Sequence, residues 1–380
     1  MKKLLLPVLV CMGLFVASCS NPKEVKEPML KVEDFKTTID GKDVSLYTLE
    51  SGNGLTMQVT NYGGRIASLW VPDKNGVRED VVFGFETIDK YINNEGERYL
   101  GPVIGRFGNR IAKAKFELDG VEYQLPANDN GNCLHGGLKG FDSQVWNVDS
   151  VATNLIVLSY VSPDGDEGFP GEVKVKMTYE LSKNNELIIK YSATTDKPTH
   201  INLTNHSQFN LKGAGNGTIL DHVMTVNASK FTPVDSLLIP TGELASLDGS
   251  PLDFRQPTVI GERIDADNDQ LKIGKGYDHN WVVDKKTVSD VEYVATVMEP
   301  VSGRVMEVWS DQPGVQIYSG NFFTGKVMGK YGKPLHHRGA IALEVQKFPD
   351  TPNQPNFPTT RVNPGETYTQ TCIYKFSVNK

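Results

Sequence analysis

The chain has 380 residues with 39 Lys and Arg against 46 Asp and Glu, so its formal net charge at pH 7 is −7. It contains no basic run that could neutralise successive phosphates, which argues against a nucleic acid partner. A chain of this length can bury a large core, and all-β architectures often exceed about two hundred residues as one unit, so the length does not require two domains.

The N-terminal segment predicts an export signal. Lys2 and Lys3 precede an apolar stretch over residues 4–16 that is too short to span a bilayer stably. The next residues, Val16–Cys19, read Val-Ala-Ser-Cys and resemble the lipobox at which bacterial lipoproteins are cleaved and acylated on the cysteine. We therefore predict a signal peptide over residues 1–18 and lipidation of Cys19, with an ordinary secretory signal as the alternative.

A polar run from Ser20 to Glu27 follows, and its content of Lys, Glu and Pro is typical of a flexible tether. We place this tether over residues 19–34. Loss of the signal removes two lysines and leaves 37 basic residues against 46 acidic ones, a net charge of −9. The predicted location is the bacterial cell envelope, periplasmic or outer membrane, with the lipid anchor as the membrane contact.

Alternation of apolar and polar residues with a period of two dominates the rest of the chain and predicts strands. The sharpest signal is a hairpin in which Asp119-Gly120 joins Lys115–Leu118 to Val121–Leu125, because Asp-Gly supplies the positive φ values of a tight type I′ turn. Other runs bounded by turn residues are Leu55–Val59, Val173–Met177, Leu187–Tyr191 and the closing strand Thr367–Val378.

Nothing in the composition marks a domain boundary after about residue 35, since Gly and Pro are spread evenly, and no amphipathic helix of three turns is evident. We predict an all-β fold, one large antiparallel β-sandwich over residues 35–380. Its longer loops are expected near residues 85–105, 128–142 and 255–280.

Two glycine-containing segments carry side chains that suit a binding site. Gly105–Arg110 offers a guanidinium fork that can pair with vicinal hydroxyls. Asn132–Gly137 places His135 before two glycines, which let the backbone approach a ligand closely. Neither segment is decisive alone, because such residues are more often solvated or locally bonded.

Three strand-like runs later in the chain each present a polar face. Thr199–His206, taken as one strand, places His200 and His206 on the same face, whereas the runs over residues 315–318 and 341–346 present Gln316 with Tyr318 and Glu344 with Gln346. If these strands share a sheet, the faces form a concave hydrogen-bonding floor of the kind that a sugar needs, because every hydroxyl both donates and accepts.

Six segments resemble those of the aldose 1-epimerase family, and the resemblance spans nearly the whole predicted domain. It implies a galactose mutarotase-like β-sandwich that interconverts the α and β anomers of a free aldose, such as galactose or glucose, without a cofactor. One position departs, because Gln208 stands where the family usually has the Tyr of N-H-S-Y-F-N-L. The six segments are Gly105–Ile111, Asn132–Gly137, Asn202–Ser207, Gly276–Asn280, Val315–Asn321 and Leu343–Asn353.

The resemblance also implies roles for individual residues. His206 passes over as general acid and Glu344 as general base, while His135 helps to place the sugar or donates to its ring oxygen. With ordinary pKa values of about 6.5 and 4.3, we expect imidazolium and carboxylate near neutral pH. The hydroxyl ligands implied by the resemblance are Asn109, Arg110, Asp278 and Gln316.

The sequence also gives predictions about metal ions, disulfide bonds and binding partners. No H-E-x-x-H or C-x-x-C spacing is present, so we predict no metal site, and Cys133 and Cys372 make one bridge or none. The expected partner is a monosaccharide, bound by a monomer or weak dimer.

Two other functions remain open from the residues. A glycoside hydrolase would use two carboxylates, for which Glu344 and Asp278 are candidates. A non-catalytic glycan-binding lipoprotein would use aromatic platforms. Its candidates are Trp70, Trp146, Trp281 and Trp309.

Overall fold

The computed structural model describes residues 28–93 and 96–379. The predicted signal peptide, Cys19 and residues 20–27 of the predicted tether lie outside this part of the chain. Within the two described ranges, no helix is both long and apolar enough to cross a membrane.

The packed part of the described chain begins before residue 35. Leu30 is buried, and its N–H donates to Gln58 Oε1 at 2.9 Å. A 3-10 helix over Val32–Phe35 follows and buries the Phe35 ring. Leu30, which we expected to belong to the tether, therefore packs on the domain.

Three antiparallel sheets make up most of the fold. The nine-stranded sheet has, in spatial order, Asn147–Ala152, Leu155–Ser162, Val173–Leu181, Glu186–Thr195, Tyr368–Val378, Arg304–Ser310, Glu292–Met298, Val223–Val226 and Thr258–Val259. The five-stranded sheet has Ala245–Ser246, Ala228–Thr232, Asp278–Val283, Gly314–Tyr318 and Ala342–Gln346. The four-stranded sheet has Leu46–Glu50, Thr56–Thr60, Arg65–Pro72 and Arg78–Asp80.

Short elements connect these sheets. The two-stranded ladders pair Thr37–Ile39 with Lys42–Val44, Arg110–Ile111 with Cys133–Leu134, Lys115–Leu118 with Val121–Gln124, Thr199–His200 with Arg361–Val362, and Val103–Ile104 with Thr204–Asn205. The α-helices are Ile88–Ile92, Ile260–Arg263 and Asp269–Gly274. Further 3-10 helices are Ala112–Ala114, Phe141–Ser143, Asp166–Gly168, Lys330–Gly332 and Thr351–Asn353. Helices thus interrupt two of the three predicted long loops, and each α-helix is shorter than three turns.

The strand pattern explains the layering. In Val173–Leu181 the apolar residues are buried at every second position while lysines and other polar residues alternate with them. One contiguous cluster of buried side chains contains Met57 of the four-stranded sheet, Met177 of the nine-stranded sheet and Val315 of the five-stranded sheet. The nine-stranded sheet therefore shares one core with the other two, which confirms the predicted β-sandwich.

The predicted hairpin is present. Leu118 pairs with Val121, and the turn residues Asp119 and Gly120 have φ values of 53° and 79°. Positive φ at both central positions is the type I′ geometry that Asp-Gly favours.

The prediction of a single strand over Thr199–His206 is wrong. Its two ends belong to different ladders, and Asn202 between them makes an isolated parallel bridge to Phe107. The side-chain amide of Asn202 also accepts the N–H of Lys347 at 3.0 Å and donates to the Lys347 carbonyl at 3.1 Å. Alternation does not continue across such a break, so the two histidines do not share a face.

Candidate active site

A cavity of about 130 Å³ opens on the polar face of the five-stranded sheet. Four of its side chains come from three adjacent strands, because Asp278 pairs with Tyr318, and Gln316 pairs with Glu344. Their apolar neighbours, such as Val315 and Leu343, enter the core on the opposite face. The cavity is lined by Glu97, Tyr99, Asn109, Arg110, Leu134, His135, His206, Asp278, Gln316, Tyr318, Phe322 and Glu344.

His206 and Glu344 meet in this cavity. The distance from His206 Nε2 to Glu344 Oε1 is 3.4 Å, and both side chains are buried, with 9% and 2% of their surfaces exposed. The second carboxylate oxygen, Glu344 Oε2, is buried and has no hydrogen-bond partner in the described part of the protein. An acceptor in that position is available to a ligand hydroxyl.

Burial moves the pKa values of this pair in opposite directions. It lowers the pKa of His206 to about 4. It raises that of Glu344 well above its ordinary value, and the neighbouring charge of Asp278 adds to the rise. Burial therefore disfavours both the imidazolium and the carboxylate that we expected from ordinary pKa values.

His135 is held in one tautomer by the backbone. Its Nδ1 accepts the N–H of Asn109 at 3.2 Å, and the proton of the neutral ring is therefore on Nε2. Burial, followed by the proximity of His206 and Arg110, lowers the pKa of His135 well below its ordinary value. A neutral ring with a free Nε2–H suits a hydrogen-bond donor better than an acid.

The glycines after His135 serve the protein backbone. A Cβ on Gly136, at φ +84°, would lie 2.0 Å from the Gly105 carbonyl oxygen, and one on Gly137 would lie 2.3 Å from Glu167 Oε2. The close approach that we expected toward a ligand is thus an approach to neighbouring protein atoms. It positions the loop that carries the His135 ring.

The guanidinium in the cavity belongs to Arg110. Arg110 Nε donates to Asp129 Oδ2 at 2.8 Å, which orients the rest of the fork. The other arginine of the segment, Arg106, is buried elsewhere and donates to the carbonyls of Pro170 and Gly171 at 2.8 and 2.9 Å. Only one of the two arginines therefore lines the cavity.

Gln316 and Asp278 are already paired. Gln316 Nε2 donates to Asp278 Oδ1 at 2.7 Å, while Gln316 Oε1 is buried without a partner among the described residues. Burial raises the pKa of Asp278. The pair thus presents unused acceptor positions beside Glu344, as the binding of hydroxyls requires.

The profile of the aldose 1-epimerase family matches residues 45–375. The chain belongs to this family. It is 43% identical over 335 residues to the galactose mutarotase of Bos taurus, covering 88% of this chain and 94% of that one. It is 36% identical over 319 residues to the aldose 1-epimerase of Haemophilus influenzae, covering 84% and 91%.

Solved structures of the family agree in fold. An aldose epimerase homologue from Caenorhabditis elegans matches with a TM-score of 0.81 and 31% identity over 89% of this chain and all of its own. A galactose 1-epimerase from Lactobacillus acidophilus matches with a TM-score of 0.78 and 26% identity over 90% and 97%. The chain is therefore an isomerase that interconverts the anomers of aldoses.

Every residue that the family resemblance assigned lines the one cavity, namely Asn109, Arg110, His135, His206, Asp278, Gln316 and Glu344. His200 does not, because its Nδ1 lies 2.8 Å from Thr360 Oγ1 and its ring packs on Phe116. Family membership does not favour the hydrolase or the binding protein.

The aromatic residues of the cavity differ from those that we considered for glycan binding. Trp70, Trp146 and Trp281 are buried in the protein, and none of the four tryptophans lines this cavity. Tyr99, Tyr318 and Phe322 stand there instead. The alternation around Gln316 indicated Tyr318, whereas Tyr99 and Glu97 lie in a long loop without any periodic signal.

Three side chains could in principle ligate a metal. The ligand atoms of His135, His206 and Glu344 lie within 4.8 Å of one another. The expectation of no metal stays a prediction.

The two cysteines of the described residues, Cys133 and Cys372, are free and buried. Burial raises the pKa of each thiol, Cys133 and Cys372, to about 12. Such thiols are protonated at neutral pH and act as small apolar residues rather than as nucleophiles.

Proposed function

We propose that this protein interconverts the anomers of galactose and glucose by acid-base opening and closure of the sugar ring in the cavity around Glu344. The observation that carries the proposal is the 3.4 Å contact between His206 Nε2 and Glu344 Oε1 at a site lined with hydroxyl-binding groups. Curated relatives named galactose mutarotase support galactose as a substrate.

The pair supplies one proton and one vacant basic position. The C1 hydroxyl donates to Glu344, which favours its carboxylate form, and the proton of the pair then resides on His206. Glu344 removes the C1 hydroxyl proton while His206 delivers its proton to the ring oxygen. The bond between C1 and the ring oxygen breaks, and the product is the open-chain aldehyde with its freed hydroxyl.

Closure reverses these transfers. Rotation about the bond between C1 and C2 presents the other face of the aldehyde, the freed hydroxyl attacks C1, and each proton returns to the group that gave it. No net change in protons or electrons accompanies the cycle, so the pair is ready for the next sugar.

The remaining residues hold the ring in place. Arg110 and the Nε2–H of His135 donate, while Asp278 and Gln316 Oε1 accept. Each sugar hydroxyl both donates and accepts a hydrogen bond, and this mixture of donors and acceptors can satisfy both in a buried site. Orientation of this kind keeps C1 beside the catalytic pair.

Polarimetry of freshly dissolved α-galactose tests the proposal. The protein is expected to accelerate the approach to the equilibrium rotation, and Glu344→Gln is expected to abolish most of that acceleration. An unchanged rate of mutarotation with the unmodified protein would exclude the proposal.

We also propose that the protein is exported and anchored by lipid on Cys19 in the bacterial cell envelope. The Val-Ala-Ser-Cys sequence after a short apolar stretch supports this. Metabolic labelling with an alkyne fatty acid should mark the unmodified protein and the control Cys11→Ser, but not Cys19→Ser. Labelling of Cys19→Ser would contradict it.

The catalytic unit is proposed to be a monomer or a weak dimer. The residues that the proposed mechanism uses, among them His206 and Glu344, all belong to one chain, which supports a monomer as the catalytic unit. Light scattering after size-exclusion chromatography over a range of concentrations tests this, and a stable tetramer would contradict it.

A further inference from the structure

The loop between the helix Ile88–Ile92 and the strand Val103–Ile104 brings a third carboxylate to the cavity, that of Glu97. The mechanism above does not use it. Within the described residues Glu97 has no cationic partner. Burial raises the pKa of Glu97 to about 7, and the backbone N–H of Tyr99 acts against that rise. A carboxylate can accept several hydrogen bonds, so most of this capacity is open to a ligand.

The loop holds Glu97 in place through the residue that follows it. The Arg98 guanidinium donates to both oxygens of the buried Asp142, at 2.7 and 3.0 Å. Arg65 Nη1 donates to the carbonyls of Arg98 and Leu100 at 3.0 and 3.1 Å. The carboxylate is therefore carried by an anchored segment of backbone.

Tyr318 supplies a matching donor. Its hydroxyl oxygen accepts the N–H of Phe322 at 2.9 Å, which leaves the hydroxyl hydrogen for another partner. Its ring stacks on that of Phe322, with centroids 5.9 Å apart and an interplanar angle of 15°. Glu97 lines the same cavity as Tyr318. Burial raises the pKa of Tyr318, and the carboxylates of Glu97, Asp278 and Glu344 add to the rise.

The register of the five-stranded sheet gives the position of this pair relative to the reacting carbon. Gln316 is the cross-strand neighbour of Glu344, and Tyr318 lies two residues further along the same strand and on the same face. Two residues of strand span about 7 Å. That separation is comparable to the width of a pyranose ring, so a sugar with C1 at Glu344 extends its opposite side toward Tyr318.

We propose that Glu97 and Tyr318 form a further hydroxyl-binding site, which holds a hydroxyl of a neutral aldohexose on the side of the ring remote from C1. The hydroxyl donates to Glu97 and accepts from Tyr318. The same carboxylate disfavours a sugar that carries a negative charge at that side, such as a uronic acid. This inference rests on the proposed function, because it uses the orientation of C1 toward Glu344.

Steady-state mutarotation kinetics of Glu97→Gln and Tyr318→Phe test the proposal, with galactose, 6-deoxygalactose, 4-deoxygalactose and galacturonate as substrates. Asp89→Asn, an exposed carboxylate on the preceding helix, is the matched control. Glu97→Gln and Tyr318→Phe should each raise KM for galactose about tenfold with a much smaller change in kcat. The control should behave as the unmodified protein.

The deoxy sugars identify the hydroxyl that is bound. For the sugar that lacks it, the unmodified protein should already show the raised KM, and Glu97→Gln should add little further increase. Above about pH 7, where Glu97 is ionised, Glu97→Gln should also narrow the preference for galactose over galacturonate by about tenfold, because it removes the repelling charge. A merely structural role of Glu97 would raise KM equally for all four sugars.

Two failures are distinguishable. If the unmodified protein does not accelerate mutarotation of galactose, the proposed function falls and this inference falls with it. If it does, while folded Glu97→Gln and Tyr318→Phe leave KM and the galacturonate preference unchanged, only the assignment of Glu97 and Tyr318 is overturned.

Discussion

His206 Nε2 lies 3.4 Å from Glu344 Oε1, although 138 residues separate the two positions in the chain. Glu344 stands in the middle of the strand Ala342–Gln346, and His206 follows the two-residue strand Thr204–Asn205. The two groups are close and enclosed together, as the proposed proton transfer requires.

Removal of the carboxylate should stop the chemistry with little effect on binding. We expect Glu344→Gln, which keeps the shape of the side chain, to lower kcat about 10²- to 10⁴-fold with KM changed far less. The exposed Glu122→Gln is the control. Polarimetry gives both constants, and a kcat near that of the unmodified protein would exclude Glu344 as the base.

The pH dependence should reflect the buried pair. Between the lowered pKa of His206, about 4, and the raised pKa of Glu344, the pair holds one proton and can act as acid and base. Below about pH 4 it gains a second proton and loses its base. We expect kcat/KM, corrected for spontaneous mutarotation, to stay high from neutral pH down to about pH 5. An acidic limb centred at pH 6.5 would contradict this.

Gln208 should act as a positioning residue for His206. Its Nε2 lies 3.2 Å from His206 Nδ1, and its Oε1 is buried without a partner in the described chain. Exchange of the amide O and N would let that oxygen accept from Nδ1–H. We expect Gln208→Leu to lower kcat about three- to tenfold with KM little changed, since the ring loses its orienting bond.

A charge at the same position gives a second readout. Gln208→Glu should place a carboxylate against the imidazole, raise the pKa of His206 and move the acidic limb of kcat/KM to higher pH. Gln208→Leu should not move the limb in that direction. Identical pH profiles for both variants would show that the side chain at position 208 does not interact with the imidazole of His206.

The buried Asp142 should matter for both stability and binding. Arg98 bonds it at 2.7 Å and Arg65 Nη2 lies 3.7 Å away, and both Arg65 and Asp142 are essentially unexposed. Asp142→Ala should lower the free energy of unfolding in urea by about 3–5 kcal/mol, because it leaves buried guanidinium groups unpaired. Since Arg98 anchors the Glu97 loop, KM for galactose should rise as well.

The exposed pair of Asp119 and Arg361 is the control for this prediction. Asp119→Ala should produce little measurable change in urea unfolding, because exposed ion pairs are screened by solvent. Equal losses for the two variants would show that burial of Asp142 contributes nothing.

Local patterns in the sequence predicted much of the fold and the residues of the catalytic pair. Alternation indicated that Glu344 faces away from Leu343 and Val345, and the structure confirms it. The Asp119-Gly120 turn was predicted correctly because its φ values depend on those two residues. The family motifs indicated that His206, and not His200, belongs with Glu344. A motif is recognised from the residues alone, so this assignment did not require the structure.

Tertiary structure alone decided the direction of the pKa shifts of the pair, the separation of His200 from His206 and the entry of Glu97 into the cavity. Burial shifts the pKa of a group through its whole surroundings, and no local pattern records them. The strand is interrupted at Asn202, which contacts the distant residues Phe107 and Lys347, and the position of Glu97 depends on Asp142, which holds the next residue. Short-range periodicity indicates which face of its own strand a residue lies on. Contacts between distant segments form only when the chain folds, so no local pattern predicts them.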